Sequence, residues 1–194
     1  MTPSPQDWAA PFARSPYRLR FELGGETYGN LTEPIARFLQ AFERARRLAD
    51  ATFDDDARLL AVVCMGSPKQ FKRLYKLGFE RKTRIAKWRA PWHFAPEDAA
   101  PAFWRSFDVS QPATGRDIVL WSAVAHEMPI EPAVAGDFRL IGSCKSVPVL
   151  MHIYDDRGAD LIAPSPEGLE HIRNDFDDWI LDYDRARIEA AFGS

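Results

Sequence analysis

Seven charged residues near the C-terminus are the best candidates for chemistry in this 194-residue chain. They are Asp155, Asp156, Arg157, Asp160, Asp182, Asp184 and Arg185. Hard divalent cations bind several converging carboxylate oxygens, so five aspartates that fold together could form the metal site of a hydrolase. Alternatively, the aspartates start a turn and a helix while the arginines neutralise them through charge-assisted hydrogen bonds. The second interpretation is favoured, and it predicts a binding or structural cluster with no catalytic residue, metal or cofactor assigned.

The elements that must position these residues are a hairpin and a helix start. Two apolar runs of strand length, residues 149–154 and 159–163, flank the Asp-Arg-Gly turn signal. This pattern predicts a hairpin whose loop requires a positive φ at Gly158. Asp182 is predicted to cap a helix and Asp184 to lie in its first turn, where a carboxylate meets the positive helix end. An arginine contact, from Arg157 or Arg185, is expected for at least one of the five aspartates.

Charge is divided unevenly along the chain although its net value is only −3. Residues 150–194 contain eleven acidic residues against four arginines, whereas residues 69–93 contain nine basic residues against Glu80 alone. The basic segment is interleaved with aromatic residues, which is the composition of grooves that bind single-stranded nucleic acid. Phe71 and Tyr75, however, fall on the predicted core face of a helix. Nucleic-acid binding is therefore the disfavoured interpretation of this segment.

The histidines and cysteines give no further catalytic signal. The four histidines are scattered, and Cys64 and Cys144 have no metal-ligand spacing. Both cysteines are predicted to be reduced thiols, as in cytoplasmic proteins. His152 is predicted to be a hydrogen-bonded strand residue. No apolar run reaches the roughly 18 residues of a membrane span, and the N-terminus lacks the features of a secretory signal. A cytoplasmic location without membrane contact is expected.

The remaining pattern predicts one α+β domain over residues 17–194, preceded by an extended arm over residues 1–16. The expected sheet is mixed or antiparallel, ends in the C-terminal hairpin, and is packed by several helices that include two at the C-terminus. Strands are predicted at residues 17–23, 59–64, 86–94, 103–109, 137–141, 149–154 and 159–163. Helices are predicted after Thr32, from Pro68 to Gly78, from Pro166 through Ile180, and from Tyr183 to Phe192. Residues 117–128 fit either a helix or a strand, with helix favoured.

Two segments of the chain resemble a known family. HIYDDRGADLIA (152–163) and WILDYDRARI (179–188) are similar to an uncharacterised bacterial family, a domain of unknown function marked by YDDRG and DYDR motifs. LRFELGG (19–25), RFLQAFERA (37–45) and LWSAVAHEMPIEP (120–132) are similar to earlier parts of its members. The resemblance implies the fold and a bacterial intracellular setting. It implies no activity and no catalytic residue.

These observations favour a non-enzymatic bacterial interaction protein with a protein partner, of the kind that neutralises a cognate toxin as an immunity protein. An acidic C-terminal surface could mask a cationic active site, and complementary charge would raise the association rate. Two alternatives belong to other classes. One is a metal-dependent hydrolase that uses the aspartate cluster, and the other is a nucleic-acid-binding protein that uses residues 69–93.

Overall fold

Seven strands form one antiparallel sheet in the computed structural model, which describes residues 11–25, 33–90, 102–111 and 114–193. The strands are β1 (Arg18–Glu22), β2 (Leu60–Met65), β3 (Arg84–Ala90), β4 (Ala102–Asp108), β5 (Asp137–Cys144), β6 (Val147–Ile153) and β7 (Gly158–Ile162). Their order across the sheet is β1-β7-β6-β5-β2-β4-β3. The predicted C-terminal hairpin, β6–β7, therefore lies next to β1, and the basic segment reaches the opposite side at β3.

Five α-helices accompany the sheet in the described part of the chain. They are α1 (Pro34–Thr52), α2 (Phe71–Lys76), α3 (Thr114–Val124), α4 (Glu170–Asp175) and α5 (Asp182–Phe192). Pro34 begins α1, where its missing N–H costs no hydrogen bond. The predicted cap Thr32 lies outside the described residues. None of the described helices combines the length and apolar character needed to cross a membrane.

Alternation along the central strand β2 shows how the sheet is covered. Ala61, Val63 and Met65 belong to the main core, which includes residues of α1 and α3. Val62 and Cys64 point to the other face and pack in a smaller cluster with Trp104. The continuous apolar run at 59–64 is therefore a central strand buried on both faces, as the sequence predicts. Both cysteines are free thiols.

The fold class is confirmed as α+β, with an antiparallel sheet and two C-terminal helices. The ambiguous segment is helical from Thr114 to Val124. The prediction of one continuous helix from Pro166 through Ile180 is wrong, because α4 ends at Asp175 and a short 3-10 turn follows. This break lets Ile180 pair with Phe21 at the edge of the sheet. The helix predicted from Pro68 begins only at Phe71.

The turn of the C-terminal hairpin differs from what the sequence predicts. Gly158 does not have positive φ, so that prediction is wrong. A Cβ at Gly158 would lie 3.0 Å from the Phe21 carbonyl oxygen and 3.0 Å from the Tyr154 ring, so close packing explains the glycine. Positive φ occurs instead at Lys145 (49°) and Ser146 (68°) in the β5–β6 turn. The Asp54 carboxylate accepts hydrogen bonds from both of their amides, at 3.0 and 3.2 Å.

The predicted N-terminal arm is described only from residue 11. Phe12 is buried, and the Ser15 hydroxyl donates a hydrogen bond to the Ala163 carbonyl. Residues 11–16 therefore contact the core and the end of β7. Residues 1–10, including Trp8, lie outside the described residues.

Candidate functional site

The β6–β7 hairpin holds the first of the predicted site residues through a local charge pair. Asp155 is buried, and its carboxylate accepts a hydrogen bond from the Arg157 amide at 2.7 Å and another from Arg157 Nε at 2.8 Å. Arg157 extends into solvent and also reaches Glu127 at 3.5 Å. These two hydrogen bonds to the Asp155 carboxylate close the turn at the hairpin tip. Asp155 and Arg157 therefore stabilise the loop that follows Tyr154.

Asp156 faces the other way and ties the hairpin to α1. Its carboxylate accepts a hydrogen bond from Arg37 Nε, and both side chains are largely buried. Gln40, one turn further along α1, donates to the Leu23 and Gly24 carbonyls that follow β1. Since these contacts join three parts of the chain, Asp156 acts as a structural anchor.

Asp160 lies at the centre of a buried charge cluster between β7 and β1. It is only 1% exposed. Arg20 Nε donates to Asp160 Oδ1 at 2.9 Å, and Arg18 contacts Oδ2 at 2.9 Å. The Tyr154 hydroxyl donates to Oδ1 at 3.2 Å. The hydrogen bond from Arg20 to Asp160 raises the pKa of the Arg20 guanidinium. Burial is the main cause that raises the pKa of Tyr154, and the negative charge of Asp160 is the second. Arg20 and Tyr154 thus keep their protons at neutral pH.

Asp184 joins this cluster from α5. It is buried, and Arg187 donates to its Oδ1 from Nε and Nη2 at 3.1 Å. Arg20 lies 3.9 Å from Asp184 Oδ2 as well as next to Asp160. Arg187 also donates to the Arg18 carbonyl of β1 at 3.0 Å. Arg20 therefore connects the YDDRG segment, through Asp160, with the DYDR segment, through Asp184.

The last two predicted residues form a separate, exposed group. Asp182 is fully exposed and lies 3.3 Å from Arg185. Arg185 contacts Asp177 at 2.8 Å and donates to the Ile180 carbonyl. Leu181 precedes α5 as its cap position and Asp182 is its first residue, so the predicted side-chain cap by Asp182 is wrong. Asp184 does lie in the first turn, as predicted.

The seven predicted residues thus fall into four groups rather than one constellation. The expected arginine contacts are confirmed, since Arg157 pairs with Asp155 and Arg185 with Asp182. Only Asp160 and Asp184 share a cluster. Over the described ranges, no three His, Cys, Asp or Glu side chains are placed to hold a metal ion. This arrangement gives no support to the metal-dependent hydrolase alternative.

A second buried charge group, which the sequence analysis missed, lies on β5 and β6. Arg139 donates to both oxygens of Asp137, at 2.9 and 2.7 Å, and both side chains are 5% exposed. His152 Nε2 lies 3.3 Å from Asp137 Oδ1, which confirms the predicted hydrogen-bonded strand histidine. Burial alone would raise the pKa of Asp137, but the hydrogen bonds from His152 and Arg139 outweigh it and hold that pKa well below its usual range.

Strand register places the two buried groups side by side. Arg20 pairs with Asp160, Asp160 with His152, and His152 with Arg139 across four neighbouring strands. The Arg139 guanidinium also lies 5.4 Å from the Trp104 ring. Burial, followed by the Asp137 charge, raises the pKa of the nearby Cys64 thiol to about 12, so it is not an activated nucleophile. In the sequence, only the alternation of charged and apolar residues along β1 indicates that charged side chains share one face of the sheet.

Exposed acidic residues lie elsewhere, on the turn between α4 and α5. We call Asp175, Asp177, Asp178, Asp182 and Tyr183 the acidic surface. All five are exposed, and Tyr183 is 69% exposed, the largest fraction among the exposed large hydrophobic and aromatic residues of the described chain. Arg185 is the one cation paired with these aspartates in the described ranges. The acidic surface thus combines net negative charge with an accessible aromatic ring.

Exposed basic residues lie near the opposite edge of the sheet, in the segment that runs from just before α2 to β3. The basic surface consists of Lys69, Lys72, Arg73, Lys76, Arg81, Lys82, Arg84, Lys87 and Arg89, all of which are exposed. Lys82 pairs with Glu80 at 2.8 Å. Arg81 lies 5.0 Å from the Tyr75 ring and Arg89 lies 4.9 Å from the Phe103 ring. Residues 91–93 of the predicted basic segment lie outside the described residues.

Comparisons with known proteins identify a family but no activity. No curated protein and no solved structure matches the chain significantly. One family matches residues 3–184, which is nearly the whole chain. The chain belongs to the family described as Domain of unknown function (DUF3885).

Proposed function

We propose that this domain is a non-enzymatic bacterial interaction protein, an immunity protein that binds and neutralises a cationic toxin through the acidic surface. The observation that supports this most directly is the exposed Tyr183 among four exposed aspartates. Tyrosine is enriched among the residues that dominate binding energy at protein interfaces. Surrounding carboxylates would steer a basic partner and raise its association rate.

The buried carboxylates play a different part in this proposal. Asp155, Asp156, Asp160 and Asp184 are buried and paired with arginines, so they are not available to a partner. Through Arg20 and Arg187, Asp160 and Asp184 connect α5 with β1 and thereby hold Tyr183 at the surface. The DYDR motif thus contributes Asp182 and Tyr183 to the acidic surface and positions them through Asp184.

The test uses the protein encoded by the gene next to this one. Expressed alone in a bacterial host, that protein should arrest growth, and co-expression of the domain should restore growth. Titration calorimetry of the purified pair should show binding that weakens as salt rises, because exposed charge attraction is screened.

A matched pair of variants separates the acidic surface from charge in general. Asp175→Asn with Asp178→Asn and Tyr183→Ala should weaken binding at least tenfold and abolish protection. The control, Asp55→Asn with Asp56→Asn, removes two exposed carboxylates elsewhere and should bind like wild type. Full protection by the first variant, or a neighbouring protein that the domain does not bind, would contradict the proposal.

A further inference from the structure

The basic surface is a concentration of exposed cations. Lys72, Arg73, Lys76 and Lys87 are exposed, and they contact no carboxylate in the described chain. β3 lies beside β4, and α2 contacts β4 through the Tyr75 and Phe107 rings, so these charges lie near the β3 edge of the sheet. Like charges held together repel one another, so such a surface gains free energy when an anionic partner binds.

Aromatic rings lie beneath and between these cations. Arg105 lies 3.9 Å from the Phe71 ring and donates to the Tyr75 hydroxyl at 2.8 Å. Arg89 lies 4.9 Å from the Phe103 ring. Stacked guanidinium groups and ring faces are the surfaces on which unpaired bases stack. Phe71 is fully buried and only supports Arg105, whereas Tyr75 and Phe103 are partly exposed, so these two rings are the ones that a base could reach.

A pocket of about 430 Å³ opens among the same residues. Its lining includes Lys87, Trp88, Arg89, Phe103 and Arg105. A pocket with both cations and aromatic rings suits a flat, partly polar group attached to a phosphate. A nucleotide base in an unpaired strand has this chemistry.

We infer that the basic surface binds single-stranded nucleic acid, with phosphates against its lysines and arginines and a base in the pocket. A duplex fits less well, because its bases are stacked away from the pocket. The six-residue helix α2 is also only about 9 Å long, which is short for reading a major groove. This surface is distinct from the acidic surface, so either proposal can fail without the other.

The first test measures fluorescence anisotropy of labelled oligothymidylate and oligouridylate of about 15 nucleotides. The affinity should fall between about 50 and 200 mM salt, since binding releases counterions. An abasic strand of equal charge, and a duplex of equal length, should bind several-fold more weakly. Equal or tighter binding of the abasic strand or the duplex would overturn the inference. Absence of binding at low salt would also overturn it.

The second test replaces three exposed lysines. Lys72→Gln, Lys76→Gln and Lys87→Gln together should lower affinity at least tenfold and reduce the salt slope by about 2, at roughly 0.7 per phosphate contact. Lys145→Gln, an exposed lysine on the β5–β6 turn, is the control and should bind like wild type. Thermal unfolding should be the same for both proteins. Unchanged binding by the triple variant would contradict the inference.

Discussion

The two edges of the sheet hold their charged residues in opposite ways. At the β1 side, Asp160 and Asp184 are buried against Arg18, Arg20 and Arg187. At the β3 side, some six strand spacings or roughly 29 Å away, the basic residues project into solvent. The comparison indicates that a high density of charge in the sequence does not by itself predict a binding surface. The buried pairs stabilise the fold, and we expect partners to bind where charges are exposed.

The largest expected effect comes from Arg20, because it serves two buried carboxylates. Arg20→Met should lower the free energy of unfolding by about 3–5 kcal/mol, since Asp160 would lose its bidentate partner. Urea denaturation measures the change. Combining Arg20→Met with Asp160→Leu should recover part of the loss, because no buried charge remains uncompensated. If the double variant is less stable by the sum of both single changes, the two residues are not coupled.

Gly158 tests whether the hairpin is fixed by packing. Gly158→Ala should cost about 1–3 kcal/mol, because its Cβ would crowd the Tyr154 ring and the Phe21 carbonyl. In a Tyr154→Ala background the same substitution should cost less, since one of the two obstacles is gone. An equal cost in both backgrounds would assign the effect to the β1 backbone alone.

Acid should weaken the contacts that Asp137 makes with Arg139 and His152. The pKa of Asp137 is lower in the folded protein than the value of about 3.9 in an unfolded chain. Its contribution is therefore complete above about pH 4 and is lost as pH falls toward the folded pKa. The stability difference between wild type and Asp137→Asn should shrink by about 1 kcal/mol or more below pH 4, as followed by urea denaturation. A constant difference would show that the pKa is not depressed.

The smallest effect is expected where a motif residue pairs in solvent. Arg185→Ala should cost much less than Arg20→Met, because its partners Asp177 and Asp182 are exposed and solvent screens the pair. Thermal unfolding at low and high salt measures this, and the cost should decrease at high salt. A loss as large as that of Arg20→Met would remove the distinction between buried and exposed pairs.

The sequence predicted the α+β class, the central strand, the C-terminal hairpin and the contacts between aspartates and arginines. Short-range periodicity and turn composition are sufficient for these features. It did not predict that Asp160 pairs with Arg20, 140 residues away, or that Asp156 pairs with Arg37. Such partners depend on strand order and register, which no local pattern determines.

The missed turn at Lys145 and Ser146 has a similar cause. Neither residue is a glycine or an asparagine, the types that usually adopt positive φ in hairpin turns. The turn is instead stabilised by Asp54, some 90 residues earlier. The sequence predicts a positive φ at Gly158, whereas the glycine is needed because Phe21 and Tyr154 leave no room for a side chain. That crowding is apparent only in three dimensions. Tertiary contacts account for both errors.

The most direct test of the division between structural and exposed charge removes three buried aspartates in one variant and three exposed lysines in another. One variant carries Asp155→Asn, Asp160→Asn and Asp184→Asn, and the other carries Lys72→Gln, Lys76→Gln and Lys87→Gln. Urea denaturation at pH 7 should show a loss of about 3 kcal/mol or more for the first and a change below about 1 kcal/mol for the second. Similar losses in both variants, or a larger loss in the lysine variant, would contradict the division between structural and exposed charge.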